Sequence, residues 1–120
     1  MTPRPDRELL KRAYRAFNAR EVDAVLALMQ SDVDWPNAIE NCRAVGKDNV
    51  REYWLRQFAV LDPHVEPIGF ADEGERTVVD VHQVVRDLSG RVLVDQIVQH
   101  VYSFRDGLIE RMEIRDAERV

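Results

Sequence analysis

The sequence predicts an α+β domain in which helices come first and an antiparallel sheet comes last. Two patterns carry this. Up to Pro63 the apolar residues recur at helical spacing, broken once by a short alternating run; beyond it they alternate in strands separated by turn residues. Helices followed by strands, rather than the two interleaved, place a helical layer on one face of a sheet.

Leu10, Ala13, Tyr14 and Phe17 fall at i, i+3, i+4 and i+7 and define one face of a first helix, with Asp6 as its expected N-cap. After a bend from Asn18 to Glu21, Val22, Val25, Leu26 and Met29 restart the period as a second helix. Neither helix is long enough to be stable alone, so the two are expected to bury a shared stripe. Val33, Trp35 and Asn37 alternate with Asp32, Asp34 and Pro36, a short strand stopped by its proline, and residues 38–46 read as a loop. From Asp48 the helical period returns in Val50, Tyr53, Trp54, Phe58 and Leu61, until Pro63 ends it. Then come a weak strand at 65–70, interrupted by Pro67 and Gly69, a valine-rich strand at 77–86, and strands at 92–104 and 108–114. The turns at Ser89-Gly90 and Asp106-Gly107 join the last three as a meander.

Alternation then separates the faces of the sheet. One face holds Val79, Val81, Gln83 and Val85 with Val92, Val94, Gln96, Val98, His100, Tyr102 and Phe104. The other holds Val78, Asp80, His82, Val84 and Arg86 with Leu93, Asp95, Ile97, Gln99, Val101 and Arg105. The first carries no charge, and an unpaired buried charge costs several kcal/mol, so it should face the helices. A two-residue Ser89-Gly90 turn pairs Arg86 with Leu93 and keeps each set on its side. The apolar residues left outside (Val78, Val84, Leu93, Ile97, Val101) predict self-association through that outer face, as a homodimer.

At 120 residues the chain fits one domain with a sizeable core. A net charge of −5 with scattered basic residues argues against nucleic acid, which needs a concentrated positive face. No stretch approaches the roughly 20 apolar residues of a membrane span. One cysteine, Cys42, allows no internal disulfide, and the charged, Pro-containing start has no leader-like apolar run, so a cytoplasmic location is expected. His64, His82, His100 and Cys42 lack metal-ligand spacing, and no phosphate loop or nucleophile motif is present, so no metal or cofactor is expected.

Local wording adds a resemblance. Tyr14, Ala16, Asn18, Asp23 and Leu28, then Asp32-Val33-Asp34-Trp35, then Gly46, Val50, Tyr53 and Trp54, then His100-Val101-Tyr102 with Asp106-Gly107-Leu108-Ile109 run through nearly the whole chain. In this the sequence resembles the SnoaL-like branch of the nuclear transport factor 2-like superfamily. The resemblance implies one domain over 1–120, with a core of about 6–115, whose three N-terminal helices lie in the concave face of a strongly curved, mostly antiparallel sheet, a cystatin-like cone. It leaves activity open, because such folds serve ketosteroid isomerases, dehydratases, polyketide cyclases, epoxide hydrolases and non-catalytic binders. The carboxylate base of isomerase-like members falls at Asn37, and an amide abstracts no proton. Their helix tyrosine falls at Ala13, with Tyr14 one residue off and expected to point elsewhere. Their second oxyanion donor falls at His100 or Gln99, and the Asp-Arg-Asp set of epoxide hydrolase-like members cannot be assembled from inward residues.

The residues themselves nominate Asn37, Gln83, Gln96, His100 and Tyr102 as inward polar groups. His100 is the only one able to change charge near neutral pH. It is either a general acid or base beside Tyr102, acting on a carbonyl held by Asn37 or Gln83, or a core histidine paired with a glutamine or a backbone carbonyl. Trp35, Tyr53, Trp54 and Phe58, with Tyr14 and Phe17, either fill the core or border a pocket for a small apolar molecule. His82 is read as an outward residue paired with Asp80 or Asp95, and His64 as a loop residue. The expected protein binds a small, largely apolar carbonyl compound without a cofactor, as a cyclase-, isomerase- or dehydratase-like enzyme. The competing readings are a non-catalytic ligand-binding module and an interaction subunit acting through the outer face.

Overall fold

The structure, a computed structural model, describes residues 5–37 and 41–116. Helices α1 (Pro5–Asn18), α2 (Val22–Leu26) and α3 (Lys47–Val60) pack against one curved, unclosed sheet. Its strands are β1 (Met29–Asn37), β2 (Cys42–Val45), β3 (Leu61–Glu73), β4 (Arg76–Asp87), β5 (Val92–Arg105) and β6 (Leu108–Asp116), in the order β2-β1-β6-β5-β4-β3. All neighbours are antiparallel except β1 and β6. The expected α+β cone is the observed fold.

The boundaries moved where local chemistry had misled. Helix α1 starts at Pro5, a residue suited to a first turn, so Asp6 lies inside the helix rather than capping it. Met29 belongs to β1, because α2 ends after five residues and the chain turns into the sheet. Pro36 does not stop β1: it pairs with Arg43 of β2, and the pairing of β1 with β6 ends earlier, at Asp34 with Arg111. The loop expected at 38–46 contains β2; residues 38–40 lie outside the described residues. Strand β3 runs through Pro63 and Pro67 because it is a sheet edge, and the register slips between Pro67 and Gly69, leaving Ile68 as the extra residue of a bulge. That strand carries His64, which was expected in a loop.

The β4–β5 pairing is in register from Thr77 opposite Tyr102 to Val85 opposite Val94, then shifts so that Arg86 faces Val92 rather than Leu93. The bulge sits beside the turn, so it leaves the face assignment intact through the middle of the sheet. Val79, Val81 and Val98 are buried inside with Leu10, Val33, Val50, Trp54 and Ile109. The β5–β6 turn has Asp106 at φ 53° and Gly107 at φ 78°, the paired positive values of a tight hairpin that suits strand twist.

Asn18 holds α1 to the sheet edge. Its Nδ2 donates to the Val65 carbonyl at 2.8 Å and its Oδ1 accepts from the Val65 N–H at 3.0 Å. The side chain thus completes the open edge of β3 as a neighbouring strand would. On the outer face, Arg115 of β6 pairs with Glu73 of β3 at 2.7 Å, and Arg76 of β4 with Glu113 of β6 at 3.8 Å. By the strand registers these pairs cross above Val78 and Val101, which are 5% and 3% exposed. Two of the five apolar residues expected to drive association are therefore covered by the chain's own charged side chains.

Asn18→Ala strands both Val65 groups and should cost about 2 kcal/mol of unfolding free energy in urea. Leu55→Ala, at a site 54% exposed, should stay within about 0.5 kcal/mol of wild type.

Candidate functional site

The inner face of the sheet and the helices enclose an uncharged cleft. From α1 it takes Ala13, Tyr14 and Phe17, from α3 Tyr53, Trp54 and Gln57. The sheet adds Trp35 and Pro36 of β1, Pro63 and Val65 of β3, Gln83 of β4, His100 and Tyr102 of β5, and Met112 and Ile114 of β6. Two of the aromatic rings stand perpendicular: Trp35 meets Trp54 at 5.5 Å and 89°. The cleft has a volume of about 100 Å³, which at roughly 10–15 Å³ per water-sized position holds roughly seven to ten such positions.

At its buried end three side chains form a hydrogen-bonded chain. Tyr102 Oη donates to Tyr14 Oη at 2.9 Å, and Tyr14 Oη lies 2.8 Å from His100 Nδ1. Where Tyr102 gives its proton to Tyr14 and Tyr14 gives its own to Nδ1, the neutral imidazole carries its hydrogen on Nε2, which has no partner among the described residues; the opposite tautomer runs the Tyr14–His100 bond the other way. The Tyr14 and His100 rings stack at 5.9 Å, and Tyr102 meets both edge-on.

Burial decides the charge state of all three. It pulls His100 from 6.5 down to about 4, because the imidazolium would sit without solvent or a counter-charge. Burial also pushes Tyr14 well above its usual value, with Tyr102 adding to the rise, and pushes Tyr102 up against a smaller opposing effect of the Tyr14 hydrogen bond. At neutral pH the three groups are therefore uncharged, and burial holds the imidazole neutral where the sequence left it free to change charge. His100 is not paired with a glutamine or a backbone carbonyl; its partner is Tyr14.

The nominated residues separate into three groups. Tyr14, Phe17, Trp35, Tyr53, Trp54, Gln83, His100 and Tyr102 meet at the cleft. Tyr14, nominated for the pocket but set one residue off the isomerase tyrosine and expected on that count to point elsewhere, lines the cleft beside Ala13, since α1 lies along the concave face and presents both residues to it. Phe58 is at the rim, its ring 5.3 Å from Phe17 and 4.4 Å from the Arg20 guanidinium. Gln96 is exposed and donates to Gln83 Oε1 at 3.1 Å. Asn37 is buried at 3% exposure but pairs with Cys42 at the end of β1, and it lines a separate groove with Asn41, Cys42 and Arg43. It is not placed to hold a carbonyl against His100. Gln57, three residues after Trp54, and Met112 and Ile114, opposite Tyr102 and His100, were not singled out from the sequence. Helical spacing could have found the first, but the last two needed the β5–β6 register. His82 pairs with Asp95 at 2.7 Å on the outer face, as one of its two expected partners, while Asp80 accepts from Gln99.

A family model described as a SnoaL-like domain matches residues 10–112. Among curated proteins, none matches the sequence significantly. Among solved structures, an NTF2-like protein of unknown function from Burkholderia pseudomallei aligns at TM-score 0.83 and 23% identity, over 96% of this chain and 92% of that one. TerC, co-crystallised with polyporic acid, aligns at TM-score 0.82 and 26% identity, over 95% and 92%. A putative polyketide cyclase from Sinorhizobium meliloti aligns at TM-score 0.76 and 18% identity, over 90% and 94%.

The lowered His100 value ties stability to pH. An unfolded histidine takes up its proton near 6.5 and the folded one only near 4, so the folded state loses ground as pH falls through that window. At about 1.4 kcal/mol per pH unit the loss should approach 3 kcal/mol by pH 4. Urea unfolding of wild type and His100→Phe between pH 7 and 4.5 should show a slope in the first beyond that of the second. Equal slopes would mean that the imidazole is solvated.

Proposed function

Because this chain belongs to the SnoaL-like domain family, we propose that it binds a compact, uncharged, carbonyl-bearing molecule in the cone and activates that carbonyl in the manner of a small cyclase. The observation that carries this reading is the hydrogen-bonded chain of Tyr102, Tyr14 and His100 at the buried end of an uncharged lining, with the imidazole read in the tautomer that leaves its Nε2–H to donate. A fixed donor in a dry site stabilises negative charge developing on a carbonyl oxygen without reorganising. It works as a hydrogen-bond donor, not as a proton source. Passing a full proton along the chain would leave a phenolate on Tyr102, and burial opposes that charge. The polarised carbonyl is then open to loss of an α-proton to solvent water, or to attack by an enol carbon of the same molecule whose O–H proton passes to the new alkoxide.

The size of the cleft narrows the ligand. Room for roughly seven to ten water-sized positions suits one or two fused rings, with anything larger extending past Phe17 and Phe58 at the rim. TerC, at 26% identity, was co-crystallised with polyporic acid, which agrees with a small molecule in this fold. A second reading, binding without turnover, is favoured by one observation: among the described residues no carboxylate lines the cleft to take a proton. The reading also includes a homodimer formed through the uncovered part of the outer face, where Leu93 and Ile97 are each 50% exposed.

2-Tetralone should bind with its carbon-13 carbonyl resonance moved downfield, and His100→Phe should bind it about tenfold more weakly without that movement. Faster deuterium uptake at its α-carbon in the presence of wild type supports turnover; binding with uptake at the buffer rate leaves the non-catalytic reading. In light scattering at micromolar concentration, wild type should weigh twice the chain mass and Ile97→Lys should weigh one chain.

A further inference from the structure

The polar groups of the cleft are not gathered at one end. Besides the donor at His100, two amides line it: Gln83 on β4 and Gln57 on α3. Gln83 pairs across the sheet with Gln96, and His100 lies four residues further along β5, which puts the two levels roughly 13 Å apart at 3.3–3.4 Å per residue. The burial gradient agrees, from His100 at 6% exposure to half-buried Gln83 and exposed Gln96. Between these ends the walls are Trp35, Trp54, Phe17 and Val65, with no polar side chain of their own beyond the indole N–H groups.

The outer amides are set up to bind. Gln83 Oε1 is occupied by Gln96 Nε2 at 3.1 Å, which orients the Gln83 amide and leaves its NH₂ to donate. Gln57 makes no side-chain hydrogen bond among the described residues. An apolar ligand alone would gain nothing from two amides at this position, and desolvating them unpaired would cost affinity. From this we infer that the ligand is polar at both ends: a flat, apolar middle between the indole walls, one carbonyl oxygen at His100, and a second oxygen, hydroxyl or carbonyl, at Gln83 and Gln57. Gln83 and Gln57 are then the residues that select it. This inference rests on the carbonyl site described above and adds the second pole.

The test compares 2-tetralone with 6-hydroxy-2-tetralone, which differ by one oxygen at the end away from the ketone. Calorimetry on wild type should give about tenfold tighter binding of the hydroxylated compound, and Gln83→Leu should bring the ratio close to one. Gln57→Leu, on a helix rather than in the sheet, carries the same comparison should Gln83→Leu fail to fold. Equal binding of the two tetralones to wild type, or a preference that survives both variants, overturns the second pole while leaving the carbonyl site standing. Absence of binding by either tetralone overturns both together.

Discussion

The hydrogen bonds joining Tyr102, Tyr14 and His100 fasten a helix to a sheet at the point where the interior is least able to tolerate an unpaired polar atom. Each group there is cut off from water, and a buried hydroxyl or imidazole left without a partner costs a few kcal/mol. Two hydrogen bonds meet that demand, one between Tyr102 and Tyr14 and one between Tyr14 and His100. They tie the position of α1 along the cone to β5, and burial keeps the histidine neutral. Structure and chemistry are here the same set of hydrogen bonds.

The rest of the molecule holds those three residues in place. Asn18 lies one helical turn beyond Tyr14 and fixes the other end of α1 to the edge of β3. Trp54 and Trp35 close the wall from α3 and β1. Pairing of Gln83 with Gln96 keeps the open end polar and uncharged. Charges are kept to the outer face, where partially exposed ion pairs add little net stability but their aliphatic stems shield Val78 and Val101. The partition of charge between the two faces of β4 and β5 is what makes an uncharged cleft possible in a chain of which 32% is charged.

That partition was legible in the sequence, because strict alternation over ten residues leaves only two choices and charge separates them. The helix face of Leu10, Ala13, Tyr14 and Phe17 was legible for the same reason. The contents of β3 were not. Two prolines and a glycine read as interruptions, and only its place at the sheet edge makes them tolerable. The tyrosine–histidine contact was hidden too, since it joins residues 86 positions apart and depends on how far α1 slides along the sheet. Asn37 shows the opposite error: its place in the alternation was read correctly, but β1 has parted from β6 before reaching it, so it lines a different groove. Lateral position within a face is decided by packing, and alternation carries no information about it.

The outer ion pair between Glu73 and Arg115 runs diagonally, four residues along the strands and three strands across. A diagonal in a lattice resists shear while leaving bending free. Sliding β4 past β5 by a residue, in the direction that lengthens the diagonal, would pull its ends apart by a few ångströms and break it. The polar groups on the inner face sit on those same strands, so a slip would also separate Gln83 from Gln96 and shift the levels of the cleft. The charges on the convex surface thus mark the same register that spaces the polar groups on the concave one.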